Sequence, residues 1–309
     1  MDALIQALVQ ANFAPERIVP RAPMARFTSF RVGGEADVLA HIASPEEIVR
    51  ALRAAKRAGA PVTVIGNGSN LLVRDGGIRG LVLRIAGSYA DIQRDGNTLH
   101  AQSGASMHAL AVFAQQEGLD GLAEIAGIPG TIGGGVIMNA GAYGRELSQV
   151  VTQVNAIALS DLKPLSFKGE ALGFSYRHSA MMDAGVIVTD VTLYLRPGDK
   201  DAIQARMAEC SAARRDKQPL EYPSAGSTFK RPEGLFAAKL IDDCGLRGLR
   251  IGDAQVSEKH TGFVVNRGKA TASDILSLMN EVSQRVYQET GVLLEPEVRI
   301  IGEDAPSHG

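Results

Sequence analysis

Gly127-Ile-Pro-Gly130-Thr-Ile-Gly133-Gly134-Gly135-Val-Ile-Met-Asn139-Ala-Gly141-Ala-Tyr-Gly144 puts seven glycines into eighteen residues. Without a Cβ, the backbone can take positive φ and approach a ligand closely. Consecutive N–H groups in such a run can form an anion-binding concavity. The segment holds no Asp, Glu, Lys or Arg, so charged side chains are not its means of recognition. Backbone donors together with Thr131 and Asn139 suit a large anionic ligand such as a dinucleotide pyrophosphate. The alternative is a glycine-rich turn packed in a sheet corner.

The segments around this centre alternate between strands and helices. A short amphipathic helix and a Pro-containing arm fill residues 1–30, and a strand is expected at Ala36–Ile42. Ser44-Pro45-Glu46-Glu47 reads as a helix start, with Ser44 as cap and Glu47 three residues on. Ile48, Val49, Leu52 and Ala55 share a face, and Gly59 closes the helix. Pro61–Ile65 reads as a buried strand. Gly66-Asn67-Gly68-Ser69-Asn70-Leu71-Leu72 follows it. This run is no Rossmann fingerprint, because Leu71 stands where the third glycine belongs and Gly76-Gly77 cuts off the helix. It is either a phosphate-binding turn or a polar hairpin turn.

Strands are expected at Leu81–Ile85, Thr98–Ser103, Val151–Leu159 and Val186–Leu195, with a helix over Ser106–Glu117. Pro197-Gly198 is the best domain boundary. Beyond it come a helix at Ala202–Arg215, a loop from Pro219 to Pro232, a helix at Gly234–Asp243 and a short strand at Gly262–Asn266. Ser273 is the expected cap of a helix whose Ile275, Leu278, Met279, Val282 and Val286 face one way. Val292–Ile301 is the last strand, with Pro296 marking an edge or bulge, and the tail from Gly302 to Gly309 is expected to fray.

Composition narrows the function classes. A chain of 309 residues with 45% hydrophobic and 21% charged side chains is an ordinary globular protein of two or three domains. Net charge −2 gives no case for nucleic-acid binding. No apolar run approaches the roughly 20 residues a membrane span requires. Met1 to Gln10 carries no basic residue and does not read as a secretory signal. Cys210 and Cys244 make no disulfide framework, so a reducing cytoplasm is expected. The six scattered histidines form no HExxH arrangement, and no metal site is indicated.

The motifs together resemble the UDP-N-acetylenolpyruvoylglucosamine reductase family. They are Gly66-Asn-Gly-Ser-Asn-Leu-Leu, Gly127-Ile-Pro-Gly-Thr-Ile-Gly-Gly with Asn139-Ala-Gly-Ala-Tyr-Gly144, and Tyr176-Arg177-His-Ser. Ala225-Gly-Ser-Thr-Phe-Lys-Arg-Pro232, Val256-Ser-Glu-Lys-His260 with Phe263-Val-Val-Asn266, and Leu294-Glu-Pro-Glu297-Val complete the set. The short run from Arg177 to the strand at Val186, and Lys230-Arg231-Pro232, look like the family's shorter type, which lacks an extra tyrosine-bearing loop. Ala238 departs from the family pattern, which has glycine there.

The resemblance implies an α+β fold. Residues 1–85 and 86–198 would be two subdomains of an FAD-binding fold of the vanillyl-alcohol oxidase type, and residues 199–309 an α+β substrate-binding domain. It implies bound FAD, NADPH as hydride donor, and reduction of the enolpyruvyl group of a UDP-sugar in peptidoglycan precursor synthesis. No nucleic-acid, membrane or obligate protein partner is expected. The implied catalytic residues are Arg177, to clamp the substrate carboxylate, Ser227, to deliver a proton to the α-carbon, and Glu297, to stabilise the intermediate. Gly66, Asn67, Gly68, Ser69, Asn70 and Leu71 would lie near the flavin pyrophosphate. Gly127, Thr131, Gly133, Gly134 and Ala140 would lie along the rest of the cofactor. Tyr176, Lys217, Lys230 and Arg231 are candidates for substrate phosphates or carboxylate. Two rivals remain: an oxidase of a small alcohol or sugar on the same FAD domain, and a non-catalytic nucleotide-binding protein on the same scaffold.

Overall fold

The computed structural model describes residues 1–305. The chain forms two compact units that interleave along the sequence. The first comprises residues 1–19, 39–67 and 82–214; the second comprises residues 20–38, 68–81 and 215 onward. The class is α+β.

The first unit is built on a five-stranded antiparallel sheet. Its order is Pro164–Lys168, Val151–Ala158, Val186–Tyr194, Thr98–Gln102 and Ile92–Asp95. Val186–Tyr194 sits in the middle because its run of Val, Ile, Thr and Leu suits a pleated surface covered on both faces. Val188, Val191 and Leu193 join a core with Leu110 and Ala114 of the helix Met107–Gln116 and Ile132 and Val136 of the helix Ile132–Ile137. Ser106 caps the first of these helices by accepting from the Ala109 N–H at 3.0 Å.

The expected helix start at Ser44 is present with one change. Ser44 Oγ accepts from the Glu47 N–H at 3.2 Å, and the helix runs Pro45–Arg57. The Glu47 carboxylate reaches past the cap to the Ala43 N–H at 2.7 Å and pairs with Arg17 at 2.8 Å. The charged partner therefore takes the side chain that a reciprocal capping box would use.

The second unit joins a three-stranded antiparallel sheet, Arg250–Ile251, Ala254–Val256 and Val264–Asn266, to the helix Ala272–Thr290. Ile275, Leu278, Met279, Val282 and Val286 are all buried, as their spacing predicts. The cap of this helix is Thr271 rather than Ser273. Thr271 Oγ1 accepts from the Asp274 N–H at 3.0 Å, and Asp274 returns the bond at 2.9 Å. Ser273 lies inside the first turn, where its N–H and hydroxyl donate to Asp75 at 2.9 and 2.6 Å. A carboxylate at a helix N-terminus is favoured by the unpaired N–H groups and the dipole.

Three further expectations change. The helix expected from Gly234 begins at Ala237, because Gly234 takes φ +69 in a turn closed by Leu235 N–H to Pro232 O. The last strand is only Arg299–Ile301, paired in parallel with Leu71–Val73. Pro296 lacks an N–H and makes only an isolated bridge with Phe229. The expected fraying does not extend to Glu303, whose N–H donates to Gly77 O and whose carbonyl accepts from Gly76 N–H, both at 2.9 Å. Residues 306–309 of that tail lie outside the described residues.

The hairpin alternative for Gly66–Leu72 is also removed. Val62–Ile65 stands beside Ile78–Arg84 in one sheet, whereas Leu71–Val73 pairs with Arg299–Ile301 in another. The polar turn therefore joins two sheets.

Candidate active site

In the first unit, the glycine-rich centre does not offer the open row of N–H groups its sequence suggests. Ile132 N–H donates to Ala105 O, Gly133 N–H to Ser103 O, and Gly135 N–H to Thr131 O, all at 2.8–2.9 Å. Gly134 N–H goes to Thr131 Oγ1 at 3.4 Å, so Thr131 is the cap of this short helix. Asn139 is not available to a ligand either. It is 1% exposed; its amide donates to Glu146 Oε2 and Ser175 O, both at 3.0 Å, and its Oδ1 accepts from the Ser148 N–H at 2.9 Å.

What the centre offers is close backbone approach. A Cβ on Gly66 would stand 2.5 Å from Thr131 Oγ1, so the turn after the strand Val62–Ile65 and the glycine-rich helix are brought together. A Cβ on Gly133 would stand 2.7 Å from Ser103 Cβ. Gly134, by contrast, is exposed, and an added Cβ there would meet nothing nearer than Thr131 Oγ1 at 3.6 Å. Gly127 is exposed at the other end, and Ala140 is half-buried.

Arg177 and Tyr176 occupy the tip of a tight turn in the same unit. Ser175 and His178 exchange two backbone hydrogen bonds at 3.1 and 3.2 Å, and Arg177 takes φ +54. Its guanidinium carbon lies 5.1 Å from the Tyr176 ring centroid, within cation–π range. Tyr176 is exposed.

In the second unit, Ser227 is exposed between buried Ala225 and Thr228. Gly226 at φ +80 makes the turn that presents it. Thr228 locks the loop on both sides. Its N–H donates to Gly262 O at 2.8 Å and its Oγ1 accepts from the Val264 N–H at 2.8 Å. Its carbonyl accepts from the Glu297 N–H at 2.9 Å, and Lys230 N–H donates to Glu295 O at 2.8 Å. Ser227 and Glu297, 70 positions apart in sequence, thus sit on adjoining backbone segments. Asn70 completes the clamp, its side chain donating to Glu297 O at 3.1 Å and its carbonyl accepting from Arg299 N–H at 2.9 Å.

The other expected residues are dispersed within this unit. Gly68 is buried at φ +64, where a Cβ would stand 2.1 Å from Phe27 O. Ser69 is half-buried and Leu71 opens its strand. Lys217 is exposed at the end of the helix Lys200–Lys217. Lys230 Nζ pairs with Glu295 at 3.1 Å, and the Arg231 guanidinium lies 4.6 Å over the Phe236 ring.

Two groups escaped the sequence reading. Arg214 lies against Gly127, its Cδ 3.3 Å from where a Cβ would be. Burial lowers its pKa, with Tyr143 opposing, and no carboxylate pairs with it among the described residues. Ser103 Oγ is buried without a hydrogen-bond partner among the described residues. Neither stands in a motif; the only sequence signal was Arg214 next to Arg215 at a helix end.

Residues 36–161 match an FAD binding domain, and residues 218–301 match the C-terminal domain of UDP-N-acetylenolpyruvoylglucosamine reductase. The UDP-N-acetylenolpyruvoylglucosamine reductase of Agathobacter rectalis is 49% identical over 296 residues, covering 91% of this chain and 93% of that protein. The chain belongs to this family. The member of the family from Pediococcus pentosaceus is 47% identical over 295 residues, 95% of this chain and 98% of its own. The crystal structure of the Thermus caldophilus enzyme superposes with TM-score 0.78 at 38% identity, covering 92% of this chain and 97% of that one.

The residues present fit a flavin dinucleotide. The exposed Gly134 backbone admits close approach. Among the described residues, the N–H groups of Asn67 and Thr131 donate to no protein acceptor. Buried Ser103 Oγ is a ready donor, and the Arg214 guanidinium is a desolvated cation suited to an anionic partner. No group of three or more His, Cys, Asp or Glu side chains able to hold a metal occurs among the described residues. No helix among them is long and apolar enough to cross a membrane.

Proposed function

We propose that the chain reduces the enolpyruvyl group of UDP-N-acetylglucosamine enolpyruvate to give UDP-N-acetylmuramate, with NADPH as electron source, in the cytoplasm as a step of peptidoglycan precursor synthesis. The observation that carries this reading is the double anchoring of Thr228, which seats the Ser227 loop directly against the Glu297 segment. A binding protein does not require a hydroxyl and a carboxyl to be held so. Membership of a reductase family at 49% identity supports it.

Bound FAD would supply the hydride-transfer chemistry that no side chain offers. Residues 1–85 and 86–198 would be its two subdomains, and residues 199–309 the substrate domain. Gly66, Asn67, Gly68, Ser69, Asn70 and Leu71 would hold its pyrophosphate. Gly127, Thr131, Gly133, Gly134 and Ala140, with Arg214 and Ser103, would hold the remainder.

Each catalytic role belongs to a residue of the chain. Arg177 binds the substrate carboxylate, because a planar guanidinium matches two carboxylate oxygens. The same charge stabilises the enolate that develops when the β-carbon is reduced. Ser227 Oγ gives its proton to the α-carbon, since an enolate is basic enough to take it. Glu297 stabilises the same intermediate. Tyr176, Lys217, Lys230 and Arg231 contact the phosphates or carboxylate of the UDP-sugar.

Stopped-flow spectroscopy of Ser227→Ala tests the assignment. Bleaching by NADPH should proceed near the normal rate, while recovery on adding the enolpyruvyl sugar should slow by on the order of a hundredfold or more. Equal slowing of both phases would remove Ser227 from the proton-donor role.

A further inference from the structure

The turn that carries Arg177 is fastened at both ends to one short element. Two residues before Arg177, the Ser175 carbonyl accepts from Asn139 Nδ2 at 3.0 Å. Two residues after it, Ser179 Oγ donates to the carbonyl of Ile137 at 3.0 Å. Ile137 ends the helix that Thr131 caps, and Asn139 lies two residues beyond. The side-chain ends of both tethers are buried, Asn139 being 1% and Ser179 0% exposed, while the carbonyl ends belong to exposed Ser175 and half-buried Ile137. Hydrogen bonds without competing water hold geometry more firmly than exposed ones.

Ser179 has no other hydrogen-bond task among the described residues, whereas Asn139 also donates to Glu146 Oε2 at 3.0 Å and accepts from the Ser148 N–H at 2.9 Å, which ties the turn to the Glu146–Ser148 segment as well. Ser179 stands at the cap position of the helix Ala180–Asp183 yet makes no cap hydrogen bond. Its hydroxyl is spent on the glycine-rich helix instead. Asn139 takes φ +41, in the left-handed region that asparagine tolerates better than most residues with a side chain. Arg177 takes φ +54 at the turn tip, so its conformation needs support from outside the turn. His178 Nε2 to Asp183 Oδ2, at 2.7 Å, braces the turn on its solvent side.

We infer that Asn139 and Ser179 are positioning residues for Arg177, fixing the substrate-binding guanidinium to the helix that begins at the cofactor-binding Thr131. The inference rests on the proposed role of Arg177. Loss of either tether lets the turn shift relative to that helix, and small displacements of a carboxylate clamp are costly to a reaction that depends on orientation. The polar groups of both tethers are engaged by protein partners, so they act on the site through the placement of the turn that carries Arg177 beside Tyr176.

A double-mutant cycle on the flavin-loaded enzyme tests this. Ser179→Ala removes one hydroxyl from a buried site and leaves no new group, so it is the cleaner variant; Asn139→Asp keeps the acceptor for the Ser148 N–H but loses the donor to Ser175 and sets a second carboxylate against Glu146, so its thermal midpoint is read beside its rates. Each variant, and each combined with Arg177→Ala, is followed through both half-reactions, with FAD content and thermal midpoint measured alongside. Ser179→Ala should slow flavin reoxidation by the enolpyruvyl sugar and raise its KM by on the order of tenfold. Bleaching by NADPH should remain normal, and Ser179→Ala should slow reoxidation no further once Arg177 is Ala. Ser179→Thr, which restores the hydroxyl, should recover reoxidation.

Slowing of equal size with and without Arg177, or slowing of both half-reactions alike, would mean a merely structural role and overturn the inference. Normal reoxidation in both tether variants, with slow reoxidation in Arg177→Ala, would overturn the inference and leave the function standing. Normal reoxidation in Arg177→Ala itself would remove the Arg177 role, and the inference with it.

Discussion

Gly134→Ala should make the FAD-free protein more stable and the FAD complex weaker. Gly134 lies in the helix Ile132–Ile137 with no positive φ, and an added Cβ would meet only Thr131 Oγ1 at 3.6 Å, an ordinary contact. Alanine is favoured over glycine inside a helix by about 0.8–1 kcal/mol. Nothing in the protein therefore requires glycine here, and its cost is explained if the cofactor lies against this backbone. A methyl placed under the flavin dinucleotide would overpack that contact by about 1–3 kcal/mol, or roughly 5- to 150-fold in Kd. Neighbouring Gly133 is the control with the opposite sign. Its Cβ would stand 2.7 Å from Ser103 Cβ and 3.0 Å from Ser103 O, so Gly133→Ala should destabilise the FAD-free protein despite the same helix preference. Calorimetric unfolding of FAD-stripped protein and titration of FAD by fluorescence quenching measure the two quantities. A thermal midpoint raised by about 2 °C with weakened FAD is the expected pair for Gly134→Ala. Unchanged FAD affinity would refute the placement of the cofactor against Gly134.

Other outcomes follow from single contacts. Thr228→Val keeps the side-chain shape but leaves the buried Val264 N–H without its acceptor, so chemical denaturation should show a loss of about 1–3 kcal/mol. Arg214→Met should weaken FAD, because its cation is the desolvated partner proposed for the cofactor; unchanged affinity would return Arg214 to a packing role. Burial lowers the His260 pKa below its ordinary 6.5. The unfolded chain then binds the proton more readily, so stability is lost as pH falls through 6.5 and is retained above it. His260→Gln should flatten that part of the unfolding profile between pH 7 and 5; an unaltered slope would assign the acid sensitivity elsewhere.

The elements with strong local signals were readable from the chain alone. Val186–Tyr194, Met107–Gln116 and the buried face of Ala272–Thr290 depend on periodicity and β-branching, which are written in each segment. Caps were readable in type but not always in place. Thr271 and Ser273 are both competent, and the choice fell to Thr271 because Asp75, nearly two hundred positions away, takes Ser273. The interleaving of the two units had no local signal, since residues 20–38 and 68–81 join the second unit only through tertiary contacts.

The site divides in the same way. Its residue types were visible in the motifs, but their availability was not. Asn139 looked like a ligand donor and is consumed internally, because its buried amide must be satisfied wherever it falls. The glycine-rich run looked like a row of open N–H groups, yet most of its helix-start donors are taken by Ser103, Ala105 and Thr131. Ser103 and Arg214 carry chemistry without a motif, and only burial against the glycines brings them to notice.

The central claim is most directly tested by the visible absorbance of the purified protein held without oxygen, as NADPH and then UDP-N-acetylglucosamine enolpyruvate are added. Flavin bands should bleach with NADPH and return with the enolpyruvyl sugar. Bands that bleach but return only with air would contradict the claim in favour of an oxidase, and no flavin signal even after incubation with FAD would contradict the reading of the glycine-rich centre itself.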